Sequence, residues 1–167
     1  MTDQSTPRLT DAVPLSDELL HLMRAAAKKA LELHETFITP RAMLLAMMDH
    51  PGLGPPISAV VNREKVVGAQ TEDTHAARLP DDTFEAGDQH AVERFDTIAF
   101  KTPDGKSSVW LTREAFDIFT GGAQRAQERY MPKQLALGFA AEARNAPGVL
   151  AAIKVDPGVL AEAIYRL

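Results

Sequence analysis

The apolar positions fall into two stretches with helical periodicity, separated by a segment of different character. In the first, Leu19, Met23, Ala26, Ala30 and Leu33 recur three or four residues apart while Lys28 and Lys29 lie on the other face, which predicts an amphipathic helix over residues 16–34. Ser16 can cap it, Asp17 and Glu18 sit in its positive first turn, and Leu15 is placed to staple onto Leu20. Thr39 and Pro40 read as cap and first residue of a second helix, which carries Met43, Leu44, Met47 and Met48 and stops before Pro51 and Gly52. A short helix is expected after Pro56 with Ile57 and Val60. A fourth, capped by Asn62, should turn Val66 and Val67 inward.

The second stretch repeats this plan. Leu111 stands before a Thr112 cap, and Phe116, Phe119, Ala123, Ala126 and Tyr130 keep helical spacing. Pro132 opens the next helix with Leu135, Leu137 and Phe139, and Pro147 and Gly148 break it. A short helix follows with Val149, Leu150 and Ile153. Asp156 and Pro157 then cap and start a last one holding Val159, Leu160, Ile164 and Leu167. The two stretches form an internal repeat, with an offset of 96 residues at the first helix and 92 at the second. Between them, residues 72–89 are polar and read as a loop. Residues 95–102 alternate, with Asp96, Ile98, Phe100 and Thr102 on one side. Pro103, Asp104 and Gly105 form a turn, and residues 107–111 return as a strand, which together predict a β-hairpin.

Composition narrows the function classes. The 167 residues include no cysteine, which excludes disulfides, thiolate metal sites and a cysteine nucleophile and fits a reducing compartment. The net charge of −5 argues against nucleic acid as a partner. No apolar run approaches the roughly 20 residues of a membrane helix, and the polar residues 1–14 carry no secretory signal and read as a flexible tail. A cytoplasmic protein with no membrane partner is therefore expected.

Two segments carry a resemblance. Leu15-Ser16 is followed 23 residues later by Ile38-Thr39-Pro40-Arg41-Ala42-Met43-Leu44-Leu45-Ala46-Met47. Leu111-Thr112 and residues 131–138 repeat both in degenerate form. In these the chain resembles the Clp N-terminal domain, the double-repeat module that precedes the ATPase rings of Clp chaperones. The resemblance implies an all-α fold: a pseudo-twofold bundle of two four-helix repeats, residues 15–71 and 111–167, with the linker and hairpin of residues 72–110 inserted as a family-foreign element. It further implies a stand-alone, non-catalytic module that recognises substrate or adaptor polypeptides for a Clp chaperone–protease system. A regulatory or scaffold subunit docking onto a Clp ATPase ring is the first alternative. A small-ligand binder or enzyme with a site between the lobes is an alternative of another class. The family's Glu-His pair at the second-helix start is Arg41-Ala42 here and Lys133-Gln134 in the second copy. In some members that Glu helps bind phosphorylated arginine, and a cation in its place would repel the guanidinium.

A search for chemistry leaves little. Gly105-Lys106-Ser107 lacks the upstream glycine of a phosphate-binding loop, since Phe100 stands there. His21, His34, His50, His75 and His90 form no metal-ligand spacing, although Asp73 with His75 and Asp88 with His90 are loop pairs able to take up a stray metal. No serine has a nucleophile-elbow context, so no catalytic residue, cofactor or metal site is expected. The candidate partner-binding residues are Arg41 and Lys133, as solvated cations or as anion sites at two helix starts, and Met43 and Met47, as core or as a soft groove for apolar peptide. Gly121-Gly122 inside a helix predicts close approach of another helix.

Overall fold

The computed structural model describes residues 15–69, 99–145 and 148–166. It is mostly helical, with one two-stranded antiparallel sheet. In chain order the elements are α1 (Asp17–Glu32), α2 (Pro40–Asp49), α3 (Gly54–Ser58), α4 (Arg63–Gly68), β1 (Ala99–Lys101), β2 (Ser108–Trp110), α5 (Arg113–Gln124), α6 (Pro132–Asn145), α7 (Val149–Ala152) and α8 (Pro157–Tyr165). The expected tail at residues 1–14, the polar loop of 72–89 and the first part of the outer hairpin strand lie outside the described residues.

Each long helix begins where a side chain can accept an otherwise orphaned backbone N–H. Ser16 Oγ accepts from Leu19 N at 3.0 Å, and Thr39 Oγ1 and Thr112 Oγ1 accept from Ala42 N and Ala115 N at 3.2 Å each. Asn62 and Asp156 do the same for α4 and α8. Such a cap contributes about 1 kcal/mol. At the other end, α1 stops two residues earlier than its periodicity predicts. His34 adopts φ 63°, so Glu35 N reaches back to Ala30 O at 2.8 Å and closes a Schellman motif. Lys154, at φ 62°, ends α7 the same way, with Val155 N donating to Leu150 O at 2.9 Å.

The core runs through both stretches. Leu19, Met23, Leu44, Met47, Phe116, Phe119, Leu135 and Phe139, all on the predicted apolar faces, are buried. α1 packs on α2, α5 on α6, and α8 against α6 and α3. Two short parallel bridges cross between the stretches. Leu15 pairs with Tyr130 and Ile38 with Leu111. Ser16 N donates to Tyr130 O at 3.1 Å, and Thr112 N donates to Ile38 O at 3.1 Å. Ile38 N in turn donates to Trp110 O at 2.7 Å, which ties the hairpin to the base of α2. The hairpin registers Phe100 opposite Val109, and Phe100 and Thr102 are buried as the alternation predicts.

Three expectations are corrected. Val67 is exposed, not inward. It stands one position after Val66, the residue of α4 that faces the core. Ala126 and Tyr130 do not continue α5, which ends at Gln124. Tyr130 instead folds back, donates its hydroxyl to Phe119 O at 2.8 Å and lays its ring 5.0 Å from that of Phe119. Val60 lies past the end of α3, which starts two residues before Pro56.

Of the glycine pair, Gly122 makes the close approach to another helix. A Cβ there would strike the Tyr130 hydroxyl and come within 2.9 Å of Gln134 O and Leu135 Cα, and a Cβ on Gly138 would strike the Gly122 backbone. Two helices cross backbone to backbone at these glycines. A Cβ on Gly121 would sit at ordinary van der Waals distance, 3.8 Å from Arg125 Nη1 and 4.0 Å from Gly138 Cα.

Candidate functional site

The two starts of α2 and α6 carry the sequence-predicted cations, and the structure treats them differently. Arg41 is the second residue of α2, where the helix dipole disfavours a positive charge. Its guanidinium turns away from that end. Nη2 donates to Glu35 Oε2 at 2.9 Å, and Nη1 donates to Val67 O and to Ala69 O at 2.8 Å each. The carbonyls belong to the end of α4, a negative pole that a cation stabilises. Glu35 also accepts from Thr39 Oγ1 at 2.8 Å, so one chain of bonds runs from Ala42 N through the Thr39 cap and Glu35 to Arg41 and the end of α4. Arg41 and Glu35 side chains are only 15% and 17% exposed. Arg41 is therefore neither solvated nor open to an anion; it clamps the chain as it leaves α4.

Lys133 holds the matching place in α6 and has no such clamp. It is half-buried, and neither a hydrogen bond nor an ion pair joins it to another described side chain. Its neighbour Gln134 accepts from Met131 N at 2.9 Å through Oε1, the reach-back half of a capping box. Met43 and Met47 lie on the buried side of α2, at 0% and 1% exposure. They fill the core and offer no surface to a partner. Arg41, Met43 and Met47 thus share a helix but not a site, and Lys133 stands apart from all three.

Charge is organised differently around the other acids. Burial alone would push Asp49 up, but hydrogen bonds and charges from Arg63 and Lys29 outweigh it and hold the carboxyl below its ordinary value. The contacts are 2.8 Å to Arg63 and 3.0 Å to Lys29, so Asp49 ties α2 to α4 and α1. On α5 and α6 the shifts run the other way. Burial raises Asp117 against the opposing charge of Arg113, and burial followed by the negative charge of Asp117 raises Glu142. The buried Tyr130 hydroxyl is raised far above its ordinary value by desolvation.

Three depressions are bordered by described residues. One, of about 360 Å3, lies between the end of α1 and the hairpin turn, bordered by Lys28, Leu31, Thr102, Pro103, Asp104 and Ser107. Its turn is internally bonded: Asp104 Oδ1 accepts from Thr102 Oγ1 at 2.6 Å and from Lys106 N at 2.9 Å, which lowers the Asp104 carboxyl. Gly105-Lys106-Ser107 accordingly lies in the turn of the hairpin. A second, open cleft of about 510 Å3 lies at the α5–α6 connection, bordered by Arg125, Gln127, Glu128, Arg129, Met131 and Gln134. A third, between Glu114, Glu142 and Gly148, holds about 10 Å3, too little for a ligand.

Metal chemistry finds no support among the described residues, where no group of three or more His, Asp or Glu is placed to hold an ion. His50 is a structural cap. Its Nδ1 accepts from Gly52 N and Leu53 N at 3.0 and 3.2 Å, which puts the proton of the neutral ring on Nε2, 3.6 Å from Glu18. The pairs at Asp73, His75, Asp88 and His90 lie outside the described residues. Among the described residues no helix is long and apolar enough to cross a membrane. The periodicity does not reveal Glu35 as the partner of Arg41, because Glu35 lies in the turn between two helices. The cations at Arg125 and Arg129 fell inside what the periodicity had assigned to a helix.

Comparison with models of known protein families finds no match, and no curated protein matches the chain.

Proposed function

We propose that the described residues form two Clp N-type repeats of four helices, α1–α4 and α5–α8, related by a pseudo-twofold axis, with the hairpin inserted between them. The bundle is a non-catalytic module that recognises substrate or adaptor polypeptides within a Clp chaperone–protease system. One observation carries the repeat. Under a twofold relation, a contact from i to j is matched by one from the equivalent of j to the equivalent of i. Leu15 and Leu111 precede the caps of α1 and α5, and Ile38 and Tyr130 precede those of α2 and α6. The bridges join Leu15 to Tyr130 and Leu111 to Ile38, each with a 3.1 Å N–H to O bond from the cap residue. This reciprocity supports the repeat, and the segments around Leu15-Ser16 and Ile38 to Met47 link the repeat to polypeptide recognition by resemblance.

The test is direct binding by the full chain. An unfolded, carboxymethylated model protein and the Clp ATPase ring from the same genome are each titrated against it, with ATP turnover followed in parallel. Saturable binding of the unfolded protein without intrinsic ATP hydrolysis is expected. Binding to the ring alone replaces polypeptide recognition by a docking role, and binding to neither overturns the reading.

A further inference from the structure

The two second-helix starts carry the same charge and neutralise it in opposite ways. In the first copy Glu35 and two carbonyls take up Arg41 completely enough to leave it 15% exposed. The offset of 92 residues that brings Arg41 onto Lys133 brings Glu35 onto Gln127. The second copy thus keeps the cation and lacks the carboxylate. Further cations collect there. Arg129 is exposed and makes no hydrogen bond or ion pair with a described residue, and Arg125 spends one nitrogen on Gly121 O at 2.8 Å and is otherwise open. Both border the cleft of about 510 Å3, with Glu128 as the single acid on its rim and Met131 as an apolar patch, and Lys133 adjoins Gln134 of that rim in the chain. This concentration of positive charge belongs to a chain of net charge −5.

We infer that this cleft binds an acidic peptide segment, whose carboxylates supply in trans the charge that Glu35 supplies in cis to the first copy. The cations are spread from Arg125 to Lys133, which suits a row of side chains better than one small ion. Guanidinium forks pair with carboxylates in two-point geometry. Met131 and the Lys and Arg stems give the peptide backbone apolar ground. The equivalence of Gln127 and Glu35 rests on the repeat proposed above; the cluster of cations at the cleft does not.

A fluorescein-labelled octaglutamate peptide, titrated against the full chain at low salt and followed by anisotropy, tests the assignment. Saturable binding is expected, weakening as salt rises. Arg129→Glu with Lys133→Glu should lower affinity at least tenfold, and Lys106→Glu, at the hairpin turn outside the cleft, should leave it unchanged. Gln127→Glu, which restores an internal carboxylate, should weaken binding several-fold while preserving the melting curve. Absence of saturable binding, or an equal loss in Lys106→Glu, overturns the inference. Inorganic phosphate that displaces the peptide at concentrations where chloride does not overturns it in favour of a phosphate site. If the acidic peptide fails while the unfolded protein or the Clp ring still binds, only this inference falls. If those fail while the acidic peptide binds, only the functional reading falls.

Discussion

The α1–α2 and α5–α6 pairs each open on a helix capped by a hydroxyl, Ser16 or Thr112, and are built from different materials. The first buries Ala26, Ala27, Ala30, Ala42 and Ala46 together with Met23, Met43 and Met47, so small and flexible side chains fill its core. The second joins Gly122 to Gly138 backbone to backbone and surrounds that crossing with Phe119, Tyr130 and Phe139. Their electrostatics differ in parallel. Asp49 and Arg41 of the first pair are matched by opposite charge, whereas Asp117 and Glu142 of the second repel one another and Lys133 has no counter-ion among the described residues. Among the described residues, the charges of the first pair are matched and those of the second are not.

Truncation of an aromatic should open the widest gap between the halves. Phe119 is fully buried, with its ring 5.0 Å from Tyr130 and 5.6 Å from Phe100. Phe119→Ala should cost about 3–5 kcal/mol. In the first pair, Met23→Leu should cost less than about 1.5 kcal/mol, because volume is conserved among adaptable neighbours. Urea denaturation of both variants measures the difference. Equal losses would show that the two cores are packed alike.

The glycines sharpen the same contrast within one helix. Gly122→Ala places a methyl against the Tyr130 hydroxyl and the α6 backbone, and should cost about 3 kcal/mol through overpacking. Gly121→Ala meets its neighbours only at ordinary van der Waals distance and should stabilise by up to about 1 kcal/mol, since alanine loses less backbone entropy in a helix. Thermal melts moving in opposite directions are expected. A loss in both would mean that the crossing is shared between the two glycines.

What was legible in the sequence follows from the range of each signal. Caps act over three residues and periodicity over a few turns, so Ser16, Thr39, Asn62, Thr112 and Asp156 and the buried stripes could be placed from local pattern. Tyr130 could not, because its spacing from Phe119 and Phe116 fits a helix equally well; a hydroxyl bond to Phe119 O and the pairing with Leu15 decide its position. Val67 failed for another reason: in a helix of six residues the apolar stripe is too short to define which neighbour faces inward. At the candidate site, the cations themselves could be read, but their state could not. Arg41 is held by Val67 O and Ala69 O, 26 and 28 residues away, a distance over which no pattern extends.

The two cations should therefore differ in what their removal costs. Arg41→Met leaves Glu35 and two carbonyls without their donor in a half-buried setting, and should cost about 1–2 kcal/mol. Lys133→Met breaks no bond to a described residue and should stay within about 0.5 kcal/mol. Equal costs in chemical denaturation would mean that Lys133 has a structural partner of similar strength.

The smallest effect is the pH dependence, and here the halves should differ in sign. Asp49 has a folded value below its ordinary 3.8, so the unfolded chain takes up the proton first. Its contribution is complete above 3.8 and is lost as pH falls through the lower folded value. Asp117 and Glu142 have folded values above their ordinary 3.8 and 4.5, so the folded state takes up protons first. Their contribution is unfavourable at neutrality and is relieved as pH falls toward 4.5 and then 3.8. At pH 7, Asp117→Asn and Glu142→Gln together should stabilise the protein by a few tenths of a kcal/mol, on the scale of exposed charge pairs. That gain should vanish as pH approaches 4. Asp49→Asn should destabilise at pH 7 by a similar amount, and its cost should persist to 3.8 and disappear only below it. Urea unfolding of the three chains at intervals between neutrality and about pH 3 resolves the two windows. A gain for the Asp117 and Glu142 variant that grows as pH falls would reverse the sign assigned to the second pair. It would mean that those carboxylates are held by a cation instead of being raised by burial and mutual repulsion.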